Sequence, residues 1–194
     1  MLSVMQKSRR KVVTHDIIDS HIRTFYEGHV VSDTAWLPGP TARLWPKFHV
    51  LAIGPGPRIG LWSYVTVGAF QARRQHMLEF VVLALEQNAS LVELLAMATY
   101  YHHTRELGHG HTIPIGRSWI PGATCDHLLV SKPFPLGTEL EICDTPDGHL
   151  HVLWLLPITE SERKFKMDHG LEQLEQKFEE AGLKYWQIRR DSVV

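Results

Sequence analysis

HLHVLWLLPITESERKFKMDHGLEQLEQKFEEAG, residues 149–182, is the stretch that decides the fold. It opens with five apolar side chains in a row, residues 152–156, and their branched and aromatic character predicts a strand covered on both faces. Pro157 has no N–H to donate to a sheet, so we expect the strand to end there. Thr159 and Glu162 then form the capping box that typically begins a helix. The sequence therefore predicts a buried strand that feeds directly into a capped helix.

Further strands and helices are predicted on the N-terminal side of this stretch. Helical spacing of apolar residues predicts helices over residues 15–28, starting at Asp16, and over residues 91–107. Proline and glycine are dense from Val30 to Pro57, which predicts loops around a single strand there. The predicted strands are Phe48–Ile53, Trp62–Val67, Glu79–Glu86, His111–Ile115, His127–Val130 and Glu139–Cys143. Strands in the middle, with helices between them and at the ends, indicate an α+β fold with a mixed, mostly antiparallel β-sheet flanked by helices.

The composition limits the function classes. Apolar residues make up 44% of the 194 residues and charged residues 21%, which is typical of a globular protein. The formal net charge of -1 offers no field to attract nucleic acid or anionic lipid, so neither is an expected partner. Two cysteines do not make a disulfide framework. Because no secretory signal and no membrane-length apolar run is visible, we expect a cytoplasmic protein.

Histidines suggest the strongest enzymatic alternative. The chain has 13 of them, and His102, His103, His109 and His111 are the densest group. On a strand His109 and His111 would face the same side, as two metal ligands must. A zinc site needs three or four converging ligands, and the sequence offers at most two with assured geometry. We therefore predict no metal, no cofactor and no catalytic residue, and keep a metal- or His-dependent hydrolase built on residues 102–111 as the alternative.

Cys125, Asp126 and His127 are adjacent and raise the possibility of a thiolate nucleophile with its base. Catalytic Cys and His are usually brought together by the fold and not by neighbouring positions, which disfavours this interpretation. Glycines are present without the G-x-G-x-x-G or Walker spacing, so a phosphate-binding loop is not predicted.

Aromatic residues in loops favour a binding role. Trp36, Trp45 and Trp119 lie in segments rich in proline and glycine, and loops often carry the aromatic anchors of interfaces. This is the one feature of the residues themselves that indicates binding.

Several segments together resemble the suppressor of fused domain family. They are LWLLPITESERKF (153–165), HGLEQLEQKFEEAG (169–182), YVTVGAF (64–70), EFVVLAL (79–85), LVELLAMATYY (91–101), GHTIPIG (110–116), DHLLVSKPF (126–134) and the ending RDSVV (190–194). The resemblance covers roughly residues 17–194, which we expect to form one suppressor of fused-like domain. Residues 1–16 are then expected to be a loosely ordered leader.

The resemblance implies both the fold and the kind of function. It implies the fold of the family's N-terminal lobe and a protein that binds and restrains other proteins without catalysis. Animal members hold zinc-finger transcription factors of the Hedgehog pathway between two lobes, where a short peptide pairs as an added strand. This chain is expected to carry only the first lobe, and its loop 117–123 has no acidic residue, so the animal clamp and its ligand are not implied here.

Single-domain members are typical of bacteria, where they resemble immunity proteins that neutralise polymorphic toxins. The resemblance therefore implies a protein partner, with a cognate toxin as the first candidate and a regulatory adaptor without a toxin partner as the alternative. The predicted partner-binding residues are Tyr101, His102, Arg117, Ser118, Trp119, Trp36 and Trp45.

Overall fold

The computed structural model describes residues 2–35, 39–116 and 120–194. Within these residues the helices are α1 (Leu2–Phe25), α2 (Gly39–Leu44), α3 (Ser90–Thr104), α4 (Thr138–Glu141), α5 (Glu160–His169) and α6 (Leu171–Glu180). The strands are β1 (Val31–Ala35), β2 (His49–Ile53), β3 (Trp62–Val67), β4 (Leu78–Ala84), β5 (Thr112–Pro114), β6 (His127–Ser131), β7 (Ile142–Thr145) and β8 (Gly148–Ile158). No helix in these ranges is long and apolar enough to cross a lipid bilayer.

The strands form one mixed sheet in the order β1-β2-β3-β4-β8-β6-β5, and β7 also pairs with β8. Pairing in the described ranges is antiparallel except between β4 and β8, which run parallel. The α+β fold with a mostly antiparallel sheet is thus confirmed. β8 is the central element, because it is the strand that pairs with β4, β6 and β7 at once.

The five apolar residues of β8 are buried, as their sequence predicts. Val152 and Leu155 have no exposed area, and Leu153, Trp154 and Leu156 are at most 5% exposed. Alternate residues face opposite sides of the sheet. Val152, Trp154 and Leu156 join a core with α1 and α6, whereas Leu153 and Leu155 join a second core with α3. Helices therefore cover both faces of the sheet.

The predicted end of this strand at Pro157 is wrong. β8 continues to Ile158, and Pro157 stands opposite Leu128 of β6. The carbonyl of Pro157 accepts a hydrogen bond from Arg190 at 3.3 Å and so points away from β6. In an antiparallel pair the N–H and C=O of one residue point to the same side. The missing N–H of the proline therefore costs the β6–β8 ladder nothing.

The predicted capping box is confirmed in full. The Glu162 backbone N–H donates to the Thr159 hydroxyl, and the Thr159 backbone N–H donates to the Glu162 carboxylate. α5 begins at the next residue, Glu160. Gly170 then separates α5 from α6, at a backbone φ of 94° that favours glycine.

Several predicted boundaries are corrected. The segment predicted as a strand at Glu139–Cys143 is the single turn α4 followed by β7, because one helical turn is too short to show a helical period. The first helix begins at Leu2 and not at Asp16. The region 30–57 holds β1 and α2 as well as the expected strand.

The helix predicted at 91–107 is α3, and it ends at Thr104. Arg105 leaves the helix in an extended conformation. The chain then turns back, and the backbone N–H of Leu107 donates to a ring nitrogen of His102 at 3.0 Å.

Candidate partner-binding site

The loop between β5 and β6 is held at both of its ends. On the β5 side, the Ile115 N–H donates to the Asp126 carbonyl at 2.9 Å. On the β6 side, the N–H groups of Thr124 and Cys125 donate to the Ile188 carbonyl at 2.9 and 3.2 Å. Three of the predicted site residues in this loop, Arg117, Ser118 and Trp119, lie outside the described residues. The described flanks give the loop a fixed base.

The C-terminal segment, residues 183–194, supplies most of that base. The Thr124 hydroxyl donates to the Arg190 carbonyl at 2.6 Å and accepts from the Arg190 N–H at 2.9 Å. The Arg189 guanidinium donates two hydrogen bonds to the Pro121 carbonyl, at 3.1 and 2.7 Å. The tail therefore holds the second half of the loop through main-chain and side-chain contacts together.

Glu162 anchors the tail to the start of α5. Its carboxylate has no exposed area and receives two hydrogen bonds from the Arg190 guanidinium, at 2.5 and 2.8 Å. The same carboxylate accepts from the Val193 N–H at 3.1 Å. The hydrogen bonds and charge of Glu162 raise the pKa of Arg190, against the effect of burial. The glutamate of the α5 capping box is thus also the residue that fixes the tail and, through the tail, the loop.

A groove of about 270 Å³ lies next to this loop. It is lined by residues 83–88, which form the end of β4 and the turn after it, by Leu91 and Ile120, and by residues 186–189 of the tail. Leu85 on its wall is 60% exposed. An exposed leucine beside a loop with a fixed base is an arrangement that can contact another protein.

Tyr101 and His102 lie away from that groove. Leu91, which lines it, is at the beginning of α3, and Tyr101 is ten residues later, about 15 Å along the helix axis. Tyr101 is half-buried and packs against the core beneath α3. His102 has no exposed area.

The ring of His102 is part of the core. One ring nitrogen accepts from the Leu107 N–H at 3.0 Å and the other is 3.1 Å from the His76 carbonyl. Phe80 packs edge-to-face against it. Burial is the main cause that lowers the pKa of His102. In this position the ring has no surface to offer a partner, so the prediction for His102 as a contact residue conflicts with its burial.

Trp45 is also in the core. It follows α2, is 7% exposed, and packs edge-to-face against His103 with ring centroids 5.3 Å apart. A tryptophan in a loop is buried in the core when the loop packs against the sheet. A proline-rich sequence does not show whether the loop packs in this way. Trp36, the remaining predicted aromatic anchor, lies outside the described residues.

The histidines 102–111 do not converge on a metal site. His103 contacts the Ala72 carbonyl, and His111 contacts the Glu106 carbonyl. His109 is 3.9 Å from Glu175. Among the described residues, the group of three or more whose ligand atoms lie close enough for one ion is Asp19, Asp33 and His49. The hydrolase alternative therefore gains no support from its own residues.

The guanidinium of Arg23 fills the Asp19, Asp33 and His49 group. It donates to Asp19 at 2.7 Å and to Asp33 at 2.6 Å. These contacts raise the pKa of Arg23, the Asp19 hydrogen bond most of all. Because Arg23 pairs with both carboxylates, the group is an ion-pair cluster between α1, β1 and β2.

Cys125 is poorly suited to nucleophilic chemistry. Burial raises the pKa of its thiol to about 11, and the thiolate is the reactive form. Its neighbours Asp126 and His127 do pair, with the His127 ring nitrogen 2.9 Å from the Asp126 carboxylate. The second nitrogen of His127 is 3.5 Å from Glu160. The imidazole thus lies between two carboxylates.

Glu79 is a buried carboxyl that the sequence analysis did not identify. It accepts hydrogen bonds from the N–H groups of Gly68, Ala69 and Phe70 at 2.9, 3.1 and 3.2 Å. It also accepts from the Thr66 hydroxyl at 2.5 Å. Burial raises the pKa of Glu79 to about 7 in spite of these hydrogen bonds. The visible signal was one acidic residue at the head of an apolar strand, and the structure shows that it holds a short 3-10 turn, Ala69–Gln71.

The sequence was compared with known families and known proteins. The family described as Suppressor of fused protein (SUFU) matches residues 45–191 of the chain. No curated protein matches the chain in the corresponding search.

Solved structures were compared as well. A crystal structure described as a SUFU homolog from Neisseria gonorrhoeae FA 1090 is similar with a TM-score of 0.82 and 32% identity, over 93% of this chain and 97% of that one. A chain of the Sufu–Fu complex is similar with a TM-score of 0.67 and 16% identity, over 93% and 92% of the two chains. Drosophila Suppressor of Fused is similar with a TM-score of 0.59 and 16% identity, over 91% of this chain and 50% of that protein. The last two share the fold.

Proposed function

The chain belongs to the suppressor of fused family, and on that basis we propose that it is a non-enzymatic domain that binds another protein. The observation that carries the proposal is the likeness to the Neisseria homolog, at 32% identity over 93% of the chain. The structure of the Sufu–Fu complex also supports this proposal, because that complex contains a chain with the same fold bound to another protein.

The partner-binding surface in this proposal is the loop 117–123 with the groove beside it. Arg117, Ser118 and Trp119 are the contact residues we assign to the loop, and the exposed Leu85 is the one we assign to the groove. The base of the loop is fixed by Thr124 and the tail. A loop presented from a rigid base loses less conformational freedom on binding than a mobile one.

Tyr101 and Trp36 complete the proposed contact set. Tyr101 keeps part of its side chain accessible near the end of α3, next to Tyr100, which is 37% exposed. Trp36 directly follows β1, the strand at one edge of the sheet.

The partner we propose is a cognate toxin, and the setting is the bacterial cytoplasm. An immunity protein acts by occupying its toxin, so it needs an accessible surface and no reactive group. The groups that most resemble catalytic residues fit that requirement. The thiol of Cys125 is held in its protonated form by burial, and His102 is engaged on both ring nitrogens.

The test is co-expression with the protein encoded beside the gene of this chain. We expect cells that express that neighbouring protein to survive when this chain is present, and the two proteins to co-purify. Trp119→Ala should reduce both survival and co-purification. Met167→Ala is the matched control, because Met167 is an apolar residue of α5 that is 67% exposed and lies outside the proposed surface.

Three results would decide against parts of the proposal. A neighbouring protein that is harmless alone but still co-purifies would make the chain a regulatory adaptor without a toxin partner. Unchanged co-purification of the Trp119→Ala variant would remove the loop from the interface. No protein partner in any growth condition, together with turnover of a substrate, would end the proposal altogether.

A further inference from the structure

A second groove, which we call the α6 groove, lies on the face of the sheet covered by α1 and α6. It has a volume of about 450 Å³ and runs between the strands β6 and β8, the turn at residues 134–135 and helix α6. Its floor is apolar, with Leu129, Trp154 and Leu156 from the strands and Phe178 from α6. None of its lining residues is shared with the groove beside loop 117–123.

An apolar aromatic side chain stands at the edge of the α6 groove. Phe134 is 65% exposed, although it lies just after β6, whose apolar residues are buried. Exposed aromatic side chains beside apolar hollows are typical of sites that bind peptides or proteins. The groove therefore has the apolar part of a docking surface.

The charge on the α6 groove is of one sign. Glu175 and Glu179 are its charged lining residues among those the structure describes. They are four residues apart on α6, a spacing that places like charges close together and destabilises a helix. His109 is 3.9 Å from a Glu175 oxygen, too far for a hydrogen bond. A cation bound in the groove would relieve this repulsion.

Two polar atoms in the α6 groove residues lack hydrogen-bond partners. The indole N–H of Trp154 and one carboxylate oxygen of Glu175 are buried and make no hydrogen bond. Trp154 packs edge-to-face against Tyr185 of the tail, with ring centroids 5.0 Å apart. Because the indole nitrogen is shielded from water, an acceptor can reach it only if neighbouring side chains such as Tyr185 move aside. An unmatched donor and an unmatched acceptor near one groove indicate complementary groups on a ligand.

We propose that the α6 groove binds a segment of a partner protein in which an apolar residue stands next to a lysine or arginine. The apolar side chain lies on Phe134 and Leu183, two lining residues of the groove whose apolar side chains are accessible. The cation pairs with Glu175 and Glu179, and a main-chain carbonyl of the segment accepts from the Trp154 indole. One short peptide carries all three of these groups, which is why we choose a peptide over a small molecule or a second copy of this chain.

The probes are three capped hexapeptides of glycine and serine. The first contains one leucine followed by one lysine, the second replaces the lysine by glutamate, and the third replaces the leucine by alanine. Each is titrated into the ¹⁵N-labelled chain, and the resonances of the Trp154 indole N–H and of the α6 amides are followed. We expect saturable shifts from the first peptide with a dissociation constant in the millimolar range, and at least several-fold weaker binding of the other two.

Substitutions on α6 test whether Glu175 and Glu179 are the carboxylates that pair with the lysine of the peptide. The double substitution Glu175→Gln and Glu179→Gln should weaken binding of the leucine–lysine peptide by about threefold to tenfold, as expected for two partly exposed ion pairs. Glu172→Gln with Glu180→Gln is the matched control, because both residues are exposed on α6 and neither lines the groove. Glu175→Lys with Glu179→Lys should reverse the preference toward the leucine–glutamate peptide.

Several outcomes would overturn this inference. They are shifts that map outside the α6 groove, equal binding of the lysine and glutamate peptides, and no approach to saturation at about 20 mM peptide. A dimer in sedimentation experiments that the Glu175→Gln and Glu179→Gln substitutions abolish would assign the groove to a second copy of this chain instead. The inference does not depend on the loop 117–123, so Trp119→Ala should leave peptide binding unchanged.

Discussion

At the scale of single residues, Glu79 makes stability depend on pH. Its carboxyl is fully buried, and burial raises its pKa from 4.5 to about 7. In the unfolded chain the group loses its proton near its ordinary pKa, whereas in the folded chain it keeps the proton to higher pH. The folded state therefore binds more protons between pH 4.5 and 7, and its stability must fall as the pH rises through that window.

We expect Glu79→Gln to remove this dependence. The free energy of unfolding of the unmodified chain should fall between pH 5 and pH 8, relative to the variant, by up to roughly 3 kcal/mol. The variant itself should be less stable at every pH, because an amide NH₂ would face some of the donors that Glu79 accepts from. Urea unfolding of the two proteins at several pH values measures both the pH dependence and the difference in stability. Parallel pH profiles for the two proteins would show that Glu79 titrates normally in the folded chain.

Thr159 tests the helix cap at the same scale. Its hydroxyl accepts from the Glu162 N–H at 3.2 Å, so Thr159→Ala leaves that donor without its partner. We expect a loss of about 1 kcal/mol in the free energy of unfolding. Ser161→Ala is the control, because Ser161 is exposed in the first turn of α5 and should change stability by less than about 0.5 kcal/mol. Equal losses in the two variants would mean that the cap contributes nothing specific.

At the scale of elements, the burial of β8 can be tested through Trp154. The side chain is 5% exposed and belongs to the core beneath α1 and α6. Trp154→Ala should cost roughly 3–5 kcal/mol, because it leaves a cavity in that core. Phe134→Ala removes an aromatic ring that is 65% exposed and should cost much less. Denaturant unfolding of both variants measures the difference, and similar costs would place Trp154 outside the core.

The tail can be tested as an element through Arg190. Arg190→Ala leaves the Glu162 carboxylate buried without its cation, for which we expect a loss of about 3–5 kcal/mol. Adding Glu162→Gln removes the unpaired charge, so the double variant should be no less stable than Arg190→Ala alone. Thermal or urea unfolding of four proteins completes the cycle: the unmodified chain, Arg190→Ala, Glu162→Gln and the double variant. Losses that simply add would show that the two residues act independently.

The elements that the sequence predicts well are those with local signals. Thr159 and Glu162 are three residues apart, so the capping box is visible in the sequence and is found in the structure. The end of β8 depends on something distant. Pro157 continues the strand because its carbonyl faces Arg190 and not β6, and nothing near Pro157 in the sequence announces that contact.

The candidate site was less predictable than the fold for the same reason. Trp45 is a core residue because it packs against His103 of α3. His102 is one because the chain after α3 folds back over it. The link from Glu162 through Arg190 to Thr124 joins residues that are far apart in sequence. Composition and spacing identify residue types suited to binding, but tertiary contacts decide which of them remain at the surface.

At the scale of the whole molecule, the sheet, the tail and the loop 117–123 form one connected arrangement. β8 is central to the sheet. The helix that follows it carries Glu162 in its first turn, and Glu162 holds the tail that holds the loop. In our account the fold serves to present surfaces to a partner. We therefore predict that the chain acts in proportion to its amount, as a binding protein does, and not by turnover.

The most direct test concerns the protein encoded beside this gene, which we propose to be a toxin. That protein is titrated with the purified chain, and its toxic activity is the readout. We predict that toxin activity falls linearly and disappears at one molecule of this chain per toxin. We also predict that the toxin, separated from the complex in denaturant and refolded, is active again and has an unchanged mass. Loss of activity at far less than one equivalent, or a covalent change in the toxin, would contradict the account by revealing an enzyme.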